Sequence, residues 1–188
     1  MRPLTLVEGG VTSLDRDDVD TDQIVPARFL QRVERTGYGK YLFHDWRGDG
    51  DVDLRPNPVL VAGANFGCGS SREHAAWAIE DFGFRVIIAP SFGDIFAGNA
   101  LKVGLLPIRL ERDACRAVVD AGTVRVDLPE QTVLASGRQW TFDIDPDSKH
   151  RLLNGLDDVA ITLREHSDAI TAFEARHDLL PLPDTTAL

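Results

Sequence analysis

Between Pro58 and Gly63 the chain carries an unbroken apolar run, Val59-Leu60-Val61-Ala62, and a short run so bounded predicts a strand buried on both faces. A glycine-rich turn, residues 63–69, follows it. Ala75, Ala78, Ile79 and Phe82 then recur at the spacing of one helical face, which predicts a helix opening at Ser70-Ser71-Arg72-Glu73 and ending at Gly83. Arg85-Val86-Ile87-Ile88-Ala89 repeats the buried-strand pattern. Strand, helix and strand within about 30 residues make a βαβ unit with parallel strands. Ser91 and Asp94 resemble a second helix start, with Ile95, Phe96 and Leu101 on its course, and Leu105-Leu106-Pro107-Ile108 predicts a third strand. After a short helix over 113–121, the pattern switches to period two. Val124, Val126 and Leu128, then Trp140, Phe142 and Ile144, predict an antiparallel pair or meander. Near the end, Leu156, Val159, Ala160 and Leu163 mark one helical face and Ile170 and Phe173 another, while the tail 178–188 carries two prolines and is expected to fray. The chain therefore reads as an α/β protein with a mixed sheet and flanking helices.

Composition narrows this picture. At 188 residues, with neither repeat nor linker, one domain spanning 1–188 is the expectation. Residues 31–58, polar and weakly periodic, read as a functional or mobile excursion. The net charge of −10 argues against nucleic acid as a partner. No run approaches the roughly 18 apolar residues that read as a membrane span. The start Met1-Arg2-Pro3-Leu4 has no apolar stretch of signal-peptide length, which points to the cytoplasm. Two cysteines, Cys68 and Cys115, are too few for a disulfide framework or an iron–sulfur cluster, and the five histidines show no zinc-site spacing with them. Metal chemistry, if the reaction uses any, is expected to come from another chain.

The densest chemistry lies in Gly67-Cys68-Gly69-Ser70-Ser71-Arg72-Glu73-His74. Glycines allow close backbone approach and positive φ. A helix start favours anions, and Arg72 adds a forked cation that matches a carboxylate. A small polyanion is the ligand this combination suits. Other readings compete. Ser70 and Glu73 have the spacing of a capping box, which needs no function. A phosphate loop wants a lysine that is absent, and the Gly-x-Ser-x-Gly elbow does not fit. His74, four residues after Ser70, could form a Ser–His pair, although a histidine so placed more often packs locally. An acidic stretch, Asp15 to Asp22, precedes the apolar Ile24-Val25-Pro26 and reads as a loop.

Three ordered blocks resemble the swivelling domain of the aconitase superfamily: Asp20-Thr21-Asp22-Gln23-Ile24-Val25-Pro26-Ala27-Arg28-Phe29, then Gly67 through Ala76, then Ser91-Phe92-Gly93-Asp94-Ile95-Phe96 with Asn99 and Gly104-Leu105-Leu106-Pro107. Leu153-Asn154-Gly155-Leu156-Asp157-Asp158 extends the match. Within the superfamily they are most similar to the small subunits of the isopropylmalate dehydratases. The resemblance implies a β/β/α swivelling fold, a hydroxy-diacid substrate and a large-subunit partner that carries a [4Fe–4S] cluster, with no cofactor on this chain. It also implies roles. Ser70 becomes the base that takes a carbon-bound proton, and Arg72 acts beside it in catalysis. Ser71 and Asp22 become substrate-binding residues. The substrate arginine falls on Arg28 or Arg32, in the segment where Phe29, Leu30 and Val33 could meet an isopropyl group. Superfamily members with an acidic residue at the position of Cys68 differ from this chain, where a buried structural thiol is the plain reading. A subunit for a related hydroxy-diacid, or an anion-binding module without catalysis, are the alternatives.

Overall fold

The computed structural model describes residues 1–31, 35–47 and 52–176. The chain falls into two compact units, Met1–Gly155 and Leu156–Leu188. In the first unit β1 (Leu6–Leu14), β2 (Val59–Ala62), β3 (Val86–Ala89), β4 (Leu106–Arg109), β5 (Thr123–Asp127), β6 (Thr132–Ala135) and β7 (Arg138–Thr141) form one sheet in the order β4-β3-β2-β1-β5-β6-β7. Strands β4 to β1 are parallel neighbours, whereas β1, β5, β6 and β7 pair antiparallel. The expected βαβ unit is present, and the expected period-two segments fall in a three-stranded meander whose middle strand, β6, has no counterpart among the sequence expectations and whose last strand, β7, ends before Phe142 and Ile144. Strand β1, which joins the two halves, has no counterpart among the sequence expectations. Its centre is Gly9-Gly10, so no apolar run marks it. The glycines have a steric reason: a Cβ on Gly9 would lie 2.7 Å from the Pro58 ring, and one on Gly10 would lie 2.4 Å from the Asn57 side chain.

Alternation along the buried strands splits the core in two. Leu60, Ala62, Ile87 and Ala89 face α3 (Glu73–Phe82) and α4 (Asp94–Val103). Val59, Val61, Val86, Ile88, Leu106 and Ile108 pack on the other side with α5 (Arg112–Ala121), β5, β6 and Leu152 of α6 (Pro146–Asn154). Each Val, Leu or Ile among them contributes about 1.5–3 kcal/mol by leaving water. The described part of the expected excursion is anchored to the first cluster. It holds a 3-10 turn (Gly39–Tyr41) and a four-residue helix, α2 (His44–Arg47), and Tyr38, Leu42 and Phe43 are fully buried. Asp81 of α3 accepts the N–H groups of Gly37 and Gly39 at 3.1 and 2.7 Å. Residues 32–34, 48–51 and the expected frayed tail lie outside the described residues. In the second unit, Asp157 caps α7 (Asp158–Glu174) by accepting Ala160 N–H at 2.8 Å. Among the described residues no helix is long and apolar enough to cross a membrane.

The parallel register decides where chemistry can gather. Leu14 pairs with Ala62, Val61 with Ile88, and Ala89 with Arg109, so β1, β2 and β3 end together. The segments that leave them begin the three motif blocks, and the outer edge beyond strand carboxyl ends is where ligands bind in open α/β sheets.

Cys115, on α5, is 5% exposed and its thiol donates to the Leu110 carbonyl at 3.4 Å. Burial pushes this thiol up from 9.0 to about 11. The unfolded thiol therefore ionises first, and the stability held by Cys115 is full below pH 9 and is lost as pH rises toward 11. Urea titrations across that interval should show wild-type stability falling more steeply than that of Cys115→Ala. Equal slopes would contradict the burial argument.

Candidate active site

The first block folds into α1 (Thr21–Ile24), a single turn held by a reciprocal cap. The Asp20 carboxylate accepts Gln23 N–H at 2.8 Å, and the Gln23 side chain accepts Asp20 N–H at 2.9 Å. The cap turns Thr21 inward, where it is buried, and leaves Asp22 exposed.

The second block is a loop stitched to both neighbours. Gly67 N–H donates to the Val19 carbonyl at 2.7 Å, and Thr21 N–H donates to the Cys68 carbonyl at 3.1 Å. Toward the third block, Phe66 N–H donates to the Ser91 carbonyl at 3.1 Å, and Gly93 N–H to the Phe66 carbonyl at 2.9 Å. The Ser91 hydroxyl accepts Asn65 N–H at 2.8 Å. Ser91 thus fastens the loop and does not cap α4, whose first turn follows Gly93 without a side-chain cap. A second expectation is also corrected. Helix α3 begins at Glu73 with Arg72 at its cap position and no side-chain cap, so Ser70 and Glu73 form no capping box. Ser70 and Ser71 stand exposed ahead of the helix, each with its side chain available to a ligand.

Arg72 Nη1 donates to Asp22 Oδ1, joining the first two blocks across the site; the Arg72 side chain is 26% exposed and that of Asp22 49%. Two neighbouring groups report the local field. Burial, then the nearby carboxylates of Asp20 and Asp18, pushes the Cys68 thiol up. Burial also lowers His74, with Arg72 adding to the effect and Glu73 opposing it. The His74 ring lies 5.2 Å from Tyr38 and 4.5 Å from Trp77, in an aromatic cluster with the anchored excursion. Packing accounts for His74 without a Ser–His pair.

Arg28 is engaged by other side chains. It sits in a 3-10 turn, Ala27–Phe29, where Nη1 donates to Asp45 Oδ2 at 3.0 Å and Nη2 meets Asp45 Oδ1 and the His44 ring. Its guanidinium also lies 4.7 Å over the Phe29 ring. Arg28 holds Asp45 below the usual carboxylate range, with His44 adding to the effect. Arg32 lies outside the described residues. Among the described residues no three His, Cys, Asp or Glu side chains form a metal-binding group, and Cys68 and Cys115 are free thiols.

The aconitase C-terminal domain family matches residues 53–113. A 3-isopropylmalate dehydratase small subunit from Rubrobacter xylanophilus is 50% identical over 185 residues, covering 93% of this chain and 94% of the relative. One from Oceanobacillus iheyensis is 48% identical over 191 residues, covering 93% of this chain and 99% of the relative. The chain belongs to the 3-isopropylmalate dehydratase small-subunit family. The crystal structure of 3-isopropylmalate dehydratase (leuD) from Methanocaldococcus jannaschii shares its fold, with a TM-score of 0.71 and 28% identity over 88% of this chain and 99% of that one.

In this member of the small-subunit family, the structure brings together Asp22, Ser70, Ser71 and Arg72, and leaves Arg28 in its pair with Asp45. Two residues in the arrangement went unnoticed in the sequence. Asp45, the partner of Arg28, has no spacing signal that would reveal it. Thr21 was within reach, because Asp20 and Gln23 have capping-box spacing and so predict the turn that directs it.

Proposed function

We propose that this chain supplies the proton-transfer half of 3-isopropylmalate dehydratase, working in the cytoplasm with a large subunit that bears a [4Fe–4S] cluster. The observation that carries the reading is the junction of the first two motif blocks, where Asp22 pairs with Arg72, two residues after the exposed Ser70. The reaction removes water from 2-isopropylmalate to give 2-isopropylmaleate and adds it back to give 3-isopropylmalate. Ser70, ionised, takes the proton from the carbon next to the departing hydroxyl and returns it on rehydration. A serine anion is a poor species in water, so its neighbours must stabilise it. The uncapped start of α3 and the Arg72 cation are what this chain offers. Ser71 and Asp22 orient the diacid at the rim, and Arg28 or Arg32 provides a cation for its second carboxylate. The cluster on the partner would supply a Lewis acid for the leaving hydroxyl.

Purified chain mixed with a cluster-loaded large subunit, followed by ultraviolet absorbance of the unsaturated diacid, tests the reading. Turnover of isopropylmalate that needs both chains is expected. Preference for homocitrate or a methylated malate would replace the substrate, and no turnover of any hydroxy-diacid would replace the enzyme by an anion-binding module.

A further inference from the structure

Loops that carry a catalytic serine need their backbone fixed, because a shift of about 1 Å at a reacting group can cost on the order of 100-fold in rate. Residues 67–70 are poorly suited to fixing themselves. Gly67 and Gly69 both have positive φ, and the Ser70 residue precedes the helix, so its carbonyl is outside the helical ladder. That carbonyl receives two hydrogen bonds. One comes from Arg72 N–H at 2.9 Å, within the same loop. The other comes from the Thr21 hydroxyl at 3.0 Å, across 49 residues of sequence. Thr21 also donates its own N–H to the Cys68 carbonyl at 3.1 Å, so one residue grips the loop on both sides of Gly69. Thr21 is 2% exposed, which keeps water from replacing the bond. The cap between Asp20 and Gln23 holds Thr21 in turn.

We infer that Thr21 is the positioning residue of the Ser70 base: its buried hydroxyl fixes the Ser70 peptide plane and so aims the serine side chain. Thr21 does not touch the reacting atoms. This inference rests on the proposed reading of Ser70 for its catalytic consequence and on the hydrogen bond for its structural one. Removing the hydroxyl leaves the Ser70 carbonyl with the Arg72 bond alone, and the loop gains freedom about Gly69.

The isosteric Thr21→Val and the conservative Thr21→Ser separate geometry from volume. In the reconstituted complex, Thr21→Val should lower kcat by about 10- to 100-fold with KM within threefold, and Thr21→Ser should stay within threefold of wild type in both. Thr21→Ala, read against Thr21→Ser in the same way, serves if the valine variant does not assemble. In the free chain, amide hydrogen exchange over residues 67–73 should quicken by about tenfold or more in Thr21→Val and not in Thr21→Ser. Unchanged exchange in Thr21→Val overturns the inference whatever the turnover shows, as does a kcat equal to wild type. A wild-type complex without turnover overturns the functional reading instead, and the exchange measurement still decides the role of Thr21.

Discussion

Ser70→Ala in the reconstituted complex should lose turnover by about 1,000-fold or more while the chain keeps its fold and its partner. The size follows from the step removed. A positioned general base contributes roughly 100- to 10,000-fold. The ring of His74, four residues on, belongs to the cluster with Tyr38 and Trp77. The absence of a structural penalty follows from exposure. Ser70 stands outside both core clusters, and its backbone carbonyl, which Thr21 and Arg72 hold, survives the substitution. Surface changes of that kind stay within about 0.5 kcal/mol. The measurement is therefore paired: kcat and KM by absorbance, and a urea melt of the same preparation. KM within threefold and an unchanged melt are expected. Turnover within tenfold of wild type would remove Ser70 from the mechanism.

The parts of this fold that were legible in the sequence are those where one physical signal dominates. Buried parallel strands must be apolar on both faces, so Val59–Ala62 and Val86–Ala89 announced themselves, and α3 showed its helical period through Ala75, Ala78, Ile79 and Phe82. Strand β1 did not, because close passage of Asn57 and Pro58 demands glycines at its centre. The start of α3 differs from the expectation for a related reason: Ser70 and Glu73 have the spacing of a cap, but the helix begins only at Glu73, with extended Arg72 at the cap position, and Ser70 belongs to the loop whose backbone Thr21 holds. In the site, the motif blocks were visible as blocks, and only the family resemblance implied that they meet. That meeting depends on the parallel register of β1 and β2, and so on the strand that left no pattern. Arg28 shows the same limit, since its partner Asp45 lies 17 residues away and only the folded excursion brings the two together.

Gly67→Ala should be among the most damaging single-methyl changes in the chain, costing about 4 kcal/mol and most of the activity. Two terms add. Gly67 has φ +76, a conformation that costs a side chain about 1–3 kcal/mol. An added Cβ would also lie 2.2 Å from Cγ of Phe96, and overpacking of this kind costs about 1–3 kcal/mol more. The ring has little room to retreat: Phe96 is 2% exposed, edge-on to Phe66 at 5.3 Å and stacked on Phe92 at 6.4 Å. Other glycines isolate the terms. Gly69 has φ +85 but would bring its Cβ only to 3.3 Å from the Asp20 side chain, so Gly69→Ala carries the conformational term nearly alone, about 1–2 kcal/mol. Gly98 lies inside α4 with nothing within 4 Å of the added atom, and Gly98→Ala should stabilise by about 0.5–1 kcal/mol. Urea melts of the three variants test the order. Were Gly67→Ala no costlier than Gly69→Ala, the contact with Phe96 would not be what fixes the loop. If the order holds, relief of the clash must push residue 67 away from α4, and Ser70, three residues further along the same loop, moves with it. The rate should then fall further than the fraction of unfolded protein explains, because Phe96 acts on the serine through the glycine that leaves room for its ring.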